Sequence, residues 1–165
     1  MKRLLKILLV LFVVILLLLQ FYPRGAKNNS NVSAAHISTV HSLPGEVGVV
    51  LKNACYDCHS NYTVYPWYAS IQPVALWLED HIAEGRKELN FSEFANYSLA
   101  KQYRKLEEIK DEVKEGKMPL ESYTLLHREA KLSAEEKLLL ASWTDALRDS
   151  MQKTYPPDSL IRKKK

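Results

Sequence analysis

Five residues, Cys55-Tyr56-Asp57-Cys58-His59, constrain this chain more than any other stretch. They spell C-x-x-C-H, the spacing of a c-type haem attachment site. Two thiols three positions apart can each add to a vinyl group on one porphyrin edge. The histidine that follows is then carried under the iron, where a ring nitrogen binds axially. These are the only two cysteines in the chain. Other chemistries also use cysteine pairs. A thioredoxin-like pair wants its C-x-x-C at the end of a strand in a βαβ pattern, whereas the preceding GEVGVVLKNA reads as a short helix. A zinc site wants four Cys or His ligands, often as two spaced pairs, and no second pair exists. A local disulfide stays open for an exported segment. The spacing favours haem attachment.

The N-terminus reads as membrane-directed. Ile7 to Leu19 is an uninterrupted apolar run of 13 residues, within the range of a signal-peptide core. Counting from Leu4 to Tyr22, with Lys6 and Gln20 tolerated near the ends, gives 19 residues, about enough for a transmembrane helix. No small-residue cleavage site follows at once; Ser33-Ala34-Ala35 lies well downstream. An uncleaved anchor over residues 1–22 is therefore favoured over a removed signal. The basic front places the remainder on the extracytoplasmic, periplasmic side.

The net charge of +4 misleads. Lys2, Arg3, Lys6 and Arg162 to Lys165 supply seven of the 23 basic residues, which leaves 16 against 19 acidic ones in the body. A basic nucleic-acid surface is not supported.

Residues 23–41 are small and polar and read as a flexible tether, with His36 and His41 as exposed linker histidines. Val47, Val50, Leu51 and Ala54 repeat at helical spacing and deliver Cys55 and His59 at a helix end. The aromatic, turn-rich stretch with Tyr62, Tyr65, Trp67 and Tyr68 is expected to wrap one face or edge of the porphyrin. A helix is predicted from Val74 to Ala83, with Gly85 as its stop. His81 on that helix is a possible second axial ligand, though such a histidine is more often structural. Asn90 to Glu93 resembles an N-cap. Ser98 opens the longest soluble helix: Leu99, Tyr103, Leu106, Ile109 and Val113 form its buried stripe, and Lys101, Lys105, Glu108, Glu112 and Glu115 its solvated face. Gly116 ends it.

Directly after comes Met118-Pro119. A methionine backed by proline, past a helix end and downstream of C-x-x-C-H, can present its thioether from a stiff loop as a second axial ligand. His127 is its main rival. Ser133-x-x-Glu136 is a capping box that opens a last helix carrying Leu138, Leu139, Trp143, Ala146 and Leu147, expected to pack on the helix before the haem motif. Residues 151–165 read as a disordered basic tail. No segment alternates with period two, so the fold class is all-α.

CYDCHSNYTVYPWYASIQPV, Gly85-Arg86, Leu89-Asn90-Phe91, Gly116-Lys-Met-Pro-Leu and Leu132-Ser with the later Trp143 together resemble the small haem-binding domain family, over about residues 42–150. Its members are C-x-x-C-H proteins, often with an N-terminal membrane segment. The resemblance implies a cytochrome-c-like helical domain around one covalent haem c. It also implies thioethers at Cys55 and Cys58, His59 as proximal ligand and Met118 as distal ligand. The expected function is a membrane-anchored single-electron carrier, not an enzyme, serving a redox partner that the sequence does not name. A haem sensor, small-ligand binder or weak peroxidase with an open distal site is the alternative, and a haem-free thiol oxidoreductase the third reading.

Overall fold

The computed structural model describes residues 1–23, 25, 27–30 and 33–161. Among them there is no β-strand, only an isolated antiparallel bridge between Asn29 and Tyr62. The helices are α1 (Lys2–Leu19), α2 (Gly45–Ala54), α3 (Tyr56–His59), α4 (Val74–Glu88), α5 (Leu99–Lys114), α6 (Glu121–Thr124) and α7 (Ala134–Thr154). Short 3₁₀ turns connect them.

The core forms where α5 and α7 pack on each other and α2 closes over them. Leu51, Phe91, Phe94, Leu106 and Leu140 are fully buried there. The stripe expected on α5 is the one buried: Leu106, Ile109 and Val113 wholly, Leu99 and Tyr103 at its edge. Helix ends follow local chemistry. Ser98 Oγ accepts the Lys101 amide, and Ser133 with Glu136 forms a reciprocal capping box. Trp143 ties α7 to the chain before α2 by donating its indole N–H to the Ser42 carbonyl at 3.0 Å.

Several expectations fail for reasons of packing. Lys105, assigned to the solvated face, is buried and bonded to Glu108 at 2.6 Å and Glu88 at 3.4 Å. On α7, Leu138 and Ala146 are exposed, while Leu140, Trp143, Leu147 and Met151 are buried. Its main partner is α5, with α2 second. Residues 151–161 are not a loose tail, since α7 runs to Thr154 and Leu160 folds back into the core. Residues 162–165 of that tail lie outside the described residues.

The expected tether is docked where it is described. Asn28 is buried, its side chain donating to Ser60 O at 2.8 Å and Thr63 Oγ1 at 3.0 Å. Ile37 is fully buried. His41 shares a hydrogen bond with Gln102, and burial lowers its pKa. Polar chains read as linkers when their partners lie far away in sequence, as these do. Positions 24, 26, 31 and 32 of the tether lie outside the described residues.

Among the described residues no helix is long and apolar enough to cross a membrane. The spanning helix expected over residues 1–22 is not met by α1 as it stands. Its 18 residues include Lys2, Arg3 and Lys6, and 18 residues reach about 27 Å against a hydrocarbon core of about 30 Å. Yet α1 buries none of its side chains, an apolar exposure that a globular surface rarely carries.

Candidate haem site

The site grows from the junction of α2 and α3. The amides of Cys55 and His59 bond to the carbonyls of Leu51 and Cys55, both at 2.9 Å. This short helical turn sets Cys55 and Cys58 three apart on one face with His59 beside them. Helix α4 lies directly behind. A Cβ on Gly85 would stand 2.8 Å from the Cys58 carbonyl oxygen and 3.2 Å from Cys58 Cβ. Gly85 is therefore not a stop, since α4 continues to Glu88. It is the point where two backbones touch. Gly85→Ala should push α4 off α3 and destabilise the domain by roughly 1–3 kcal/mol, the usual cost of overpacking. Haem loading of the purified protein and its thermal midpoint would both fall; a variant unchanged in both would refute this role.

That contact orients His59. Its Nδ1 lies 2.9 Å from the Gly85 carbonyl and 3.0 Å from the Leu89 carbonyl. Carbonyls only accept, so Nδ1 carries the proton and Nε2 is left with a free lone pair, the tautomer a metal ligand needs. Burial lowers the His59 pKa, against the opposing pull of the two carbonyls. The imidazole is thus neutral at neutral pH.

A cavity of about 310 Å³ opens on this wall, lined by Cys55, Cys58, His59, Met118, Leu120 and Tyr123 among others. Met118 is placed by the end of α5. Gly116 has φ +71°, the left-handed conformation that glycine adopts at no steric cost. The amides of Gly116 and Lys117 return to the carbonyls of Val113 and Glu112 at 3.2 and 2.9 Å, a Schellman stop. The Met118 amide also reaches the Glu112 carbonyl, at 3.1 Å. A second tie crosses the cavity: the Tyr123 hydroxyl donates to Asp57 Oδ2 at 2.7 Å, joining the methionine loop to the middle of C-x-x-C-H. Burial, then Asp57, pushes the Tyr123 pKa far up, which keeps that hydroxyl a donor. Sequence reasoning missed Tyr123, Asp57 and the two carbonyls, because nothing local marks them.

The two rivals for the second axial position part company. His81 stands in the cavity wall, its Nδ1 2.8 Å from the Trp77 carbonyl and its ring against Trp77. His127 is not in that wall. It stacks on Tyr123 at 4.2 Å, with Nε2 2.7 Å from the Tyr68 hydroxyl and Nδ1 3.4 Å from Glu129. The aromatic stretch also departs from expectation: none of Tyr62, Tyr65, Trp67 and Tyr68 lines the cavity.

Burial raises both thiol pKa values, to about 12 for Cys55, with Cys58 adding to it, and to about 11 for Cys58, with Asp57 adding to it. A thiol–disulfide catalyst needs the opposite shift. No group of three His, Cys, Asp or Glu able to hold a bare metal ion occurs among the described residues. Two thiols and a free imidazole nitrogen on one wall, with a thioether in the same cavity, do suit a haem: vinyl edges for the sulfurs and iron for the nitrogen.

The sequence matches the haem-binding domain family over residues 14–146. The chain belongs to that family. It is a haem-binding protein with an all-helical domain. The match begins inside α1, so the family unit takes in the docked residues before α2 as well as the region from 42 onward. Neither a curated relative nor a solved structure matches the chain.

Proposed function

We propose that this haem-binding domain is a c-type cytochrome, held at a membrane by α1 with the domain on the extracytoplasmic side, that carries single electrons. Cys55 and Cys58 form the thioethers, His59 is the proximal ligand and Met118 the distal one. One observation carries the reading: the Gly85 and Leu89 carbonyls engage His59 Nδ1 and so leave Nε2 to the cavity that Met118 also lines. The haem supplies one-electron iron chemistry. The chain supplies two axial donors, which leave no open coordination position, and a thioether that favours ferrous iron.

Helix α4 argues for Met118 over His81. The carbonyls that hold His59 Nδ1 belong to α4 and its C-terminal end, so α4 already serves the proximal ligand and Nε2 is the nitrogen left for iron. His81 sits on that same helix and also lines the cavity, but its Nδ1 is engaged by the Trp77 carbonyl and its ring by Trp77, whereas Met118 comes from the separate loop after α5. His127 has partners at both ring nitrogens.

The test is the purified exported protein. Haem should survive a denaturing gel, undergo reversible one-electron reduction, and in the ferrous state resist carbon monoxide. Rapid carbon monoxide binding by the wild type would replace this reading with the sensor or small-ligand binder.

Anchoring rests on α1, whose apolar side chains from Leu4 to Leu18, Leu16 excepted, are exposed, with Lys2, Arg3 and Lys6 free to reach headgroups. Deleting residues 1–22 behind a cleavable export signal should give a holoprotein soluble without detergent. A truncated holoprotein that still pellets with membranes would end the anchor reading.

A further inference from the structure

The charge-free stretch beside the end of α1 lines no part of the haem cavity. From Ser60 to Leu78 the chain carries no Asp, Glu, Lys or Arg, although a quarter of all residues are charged. Thr63, Ala69, Gln72, Ala75 and Leu78 turn inward, but the large apolar side chains between them do not. Trp67 is 79% exposed, Val64 62% and Tyr62 58%, and Ile71, Val74 and Trp77 are also exposed. A surface of this kind on a soluble face would be an association hazard.

The end of α1 is fixed to the middle of that stretch. Gln20 Nε2 donates to the Gln72 carbonyl at 2.9 Å, and Gln20 Oε1 accepts the Gln72 amide at 3.0 Å. Gln20 Nε2 also reaches back to the Leu16 carbonyl at 2.9 Å, so the tie is continuous with the helix. Gln72 is itself buried, in the turn that opens α4. A second tie, the Gly25 amide to Glu79 Oε2 at 2.9 Å, secures the chain just beyond. Phe21 and Tyr22, both exposed, complete the aromatic set at this level.

We infer that Tyr62, Val64, Trp67, Ile71, Val74 and Trp77 form a docking surface for the lipid interface of the bilayer that α1 enters. The inference rests on the anchor reading. If α1 inserts, its C-terminal end lies at the headgroup level, and the paired bonds at Gln72 leave the domain no slack there. Tryptophan and tyrosine favour that zone, where a flat apolar ring is buried while its N–H or O–H stays wet. The stretch itself brings no charged side chain to be desolvated on contact; Lys27 beside Tyr65, Asp57 at the Val64 amide and Glu79 at the Gly25 amide flank it. A helix of only 18 residues also benefits, because a shallow anchor is relieved when flanking groups settle into the interface. The domain therefore lies on the membrane in one orientation and does not swing from a free linker.

The test uses the full-length holoprotein in vesicles of phosphatidylcholine and phosphatidylglycerol that contain a photoactivatable phosphatidylcholine, with adducts mapped by mass spectrometry. Adducts are expected on α1 and on residues 62–77. Adducts on α1 alone would leave the anchor standing and overturn the inference. No adducts anywhere would remove the anchor and the inference together. In Tyr62→Ser/Trp67→Ser, whose side chains are exposed and line no part of the cavity, the haem spectrum should be unchanged and adducts on 62–77 should fall several-fold while those on α1 persist. An undiminished yield on 62–77 would overturn the inference.

Discussion

Cys55→Ala/Cys58→Ala will lose all covalent haem, while each single variant will keep a fraction of it. The expectation follows from chemistry and count. A thioether needs a cysteine sulfur, and the chain has no third cysteine. Each thiol also sits on the wall of the same cavity, one at each end of the turn that carries His59. A single variant keeps one covalent bond and the His59 nitrogen, so the haem is still placed but at lower yield. The double variant keeps only the axial bonds, which a denaturing gel breaks. Haem staining after denaturing electrophoresis of the exported proteins reads this directly. Stain persisting in the double variant would show attachment through some other atom and end the c-type reading.

Met118→Ala will leave the haem attached and change its redox behaviour. The thioethers and His59 are untouched by the change, so staining should match the wild type. The iron loses a soft donor that stabilises the ferrous state, and the reduction potential should fall on the order of 100 mV, a modest part of the ~0.8 V that axial ligands span. For one electron about 59 mV is tenfold in the ferric-to-ferrous ratio, so the predicted shift is well resolved by redox titration. The opened position should also admit carbon monoxide in the reduced state. His81→Ala and His127→Ala should do neither. A potential that ignores Met118→Ala and moves with His81→Ala would transfer the distal role to α4.

How much of this was readable in the chain depends on the distance over which each feature is decided. The C-x-x-C-H motif, the capping box at Ser133 and the helix stop at Gly116 are each written within a few residues. The reason is covalent reach and backbone geometry: C-x-x-C-H spacing, a side-chain oxygen near a helix amide, and a left-handed φ that only glycine adopts freely. The stripe on α5 was likewise legible, because Leu99 to Val113 repeat cleanly against a charged face. The stripe on α7 was not. Leu138, Leu139 and Leu140 follow one another, so periodicity alone offers several faces, and only the position of α5 selects the one containing Leu140.

The other features belong to the tertiary structure alone. Gly85 is a glycine in either reading, as a helix stop or as a contact point, and the choice was made by the Cys58 carbonyl 2.8 Å from where its Cβ would lie. The tautomer of His59 is set by two carbonyls 26 and 30 residues away. The closure of the methionine loop is set by Tyr123 and Asp57, 66 residues apart. Such partners carry no local sign, since every residue has a carbonyl and tyrosine is common at surfaces. What the residues themselves determined was the candidate donor set: two thiols, one imidazole and one thioether. Which imidazole nitrogen is left free, and which loop shares its cavity, was decided only when α4 packed against α3, because hydrogen bonds and close contacts act over about 3 Å and only the folded chain brings those groups that near.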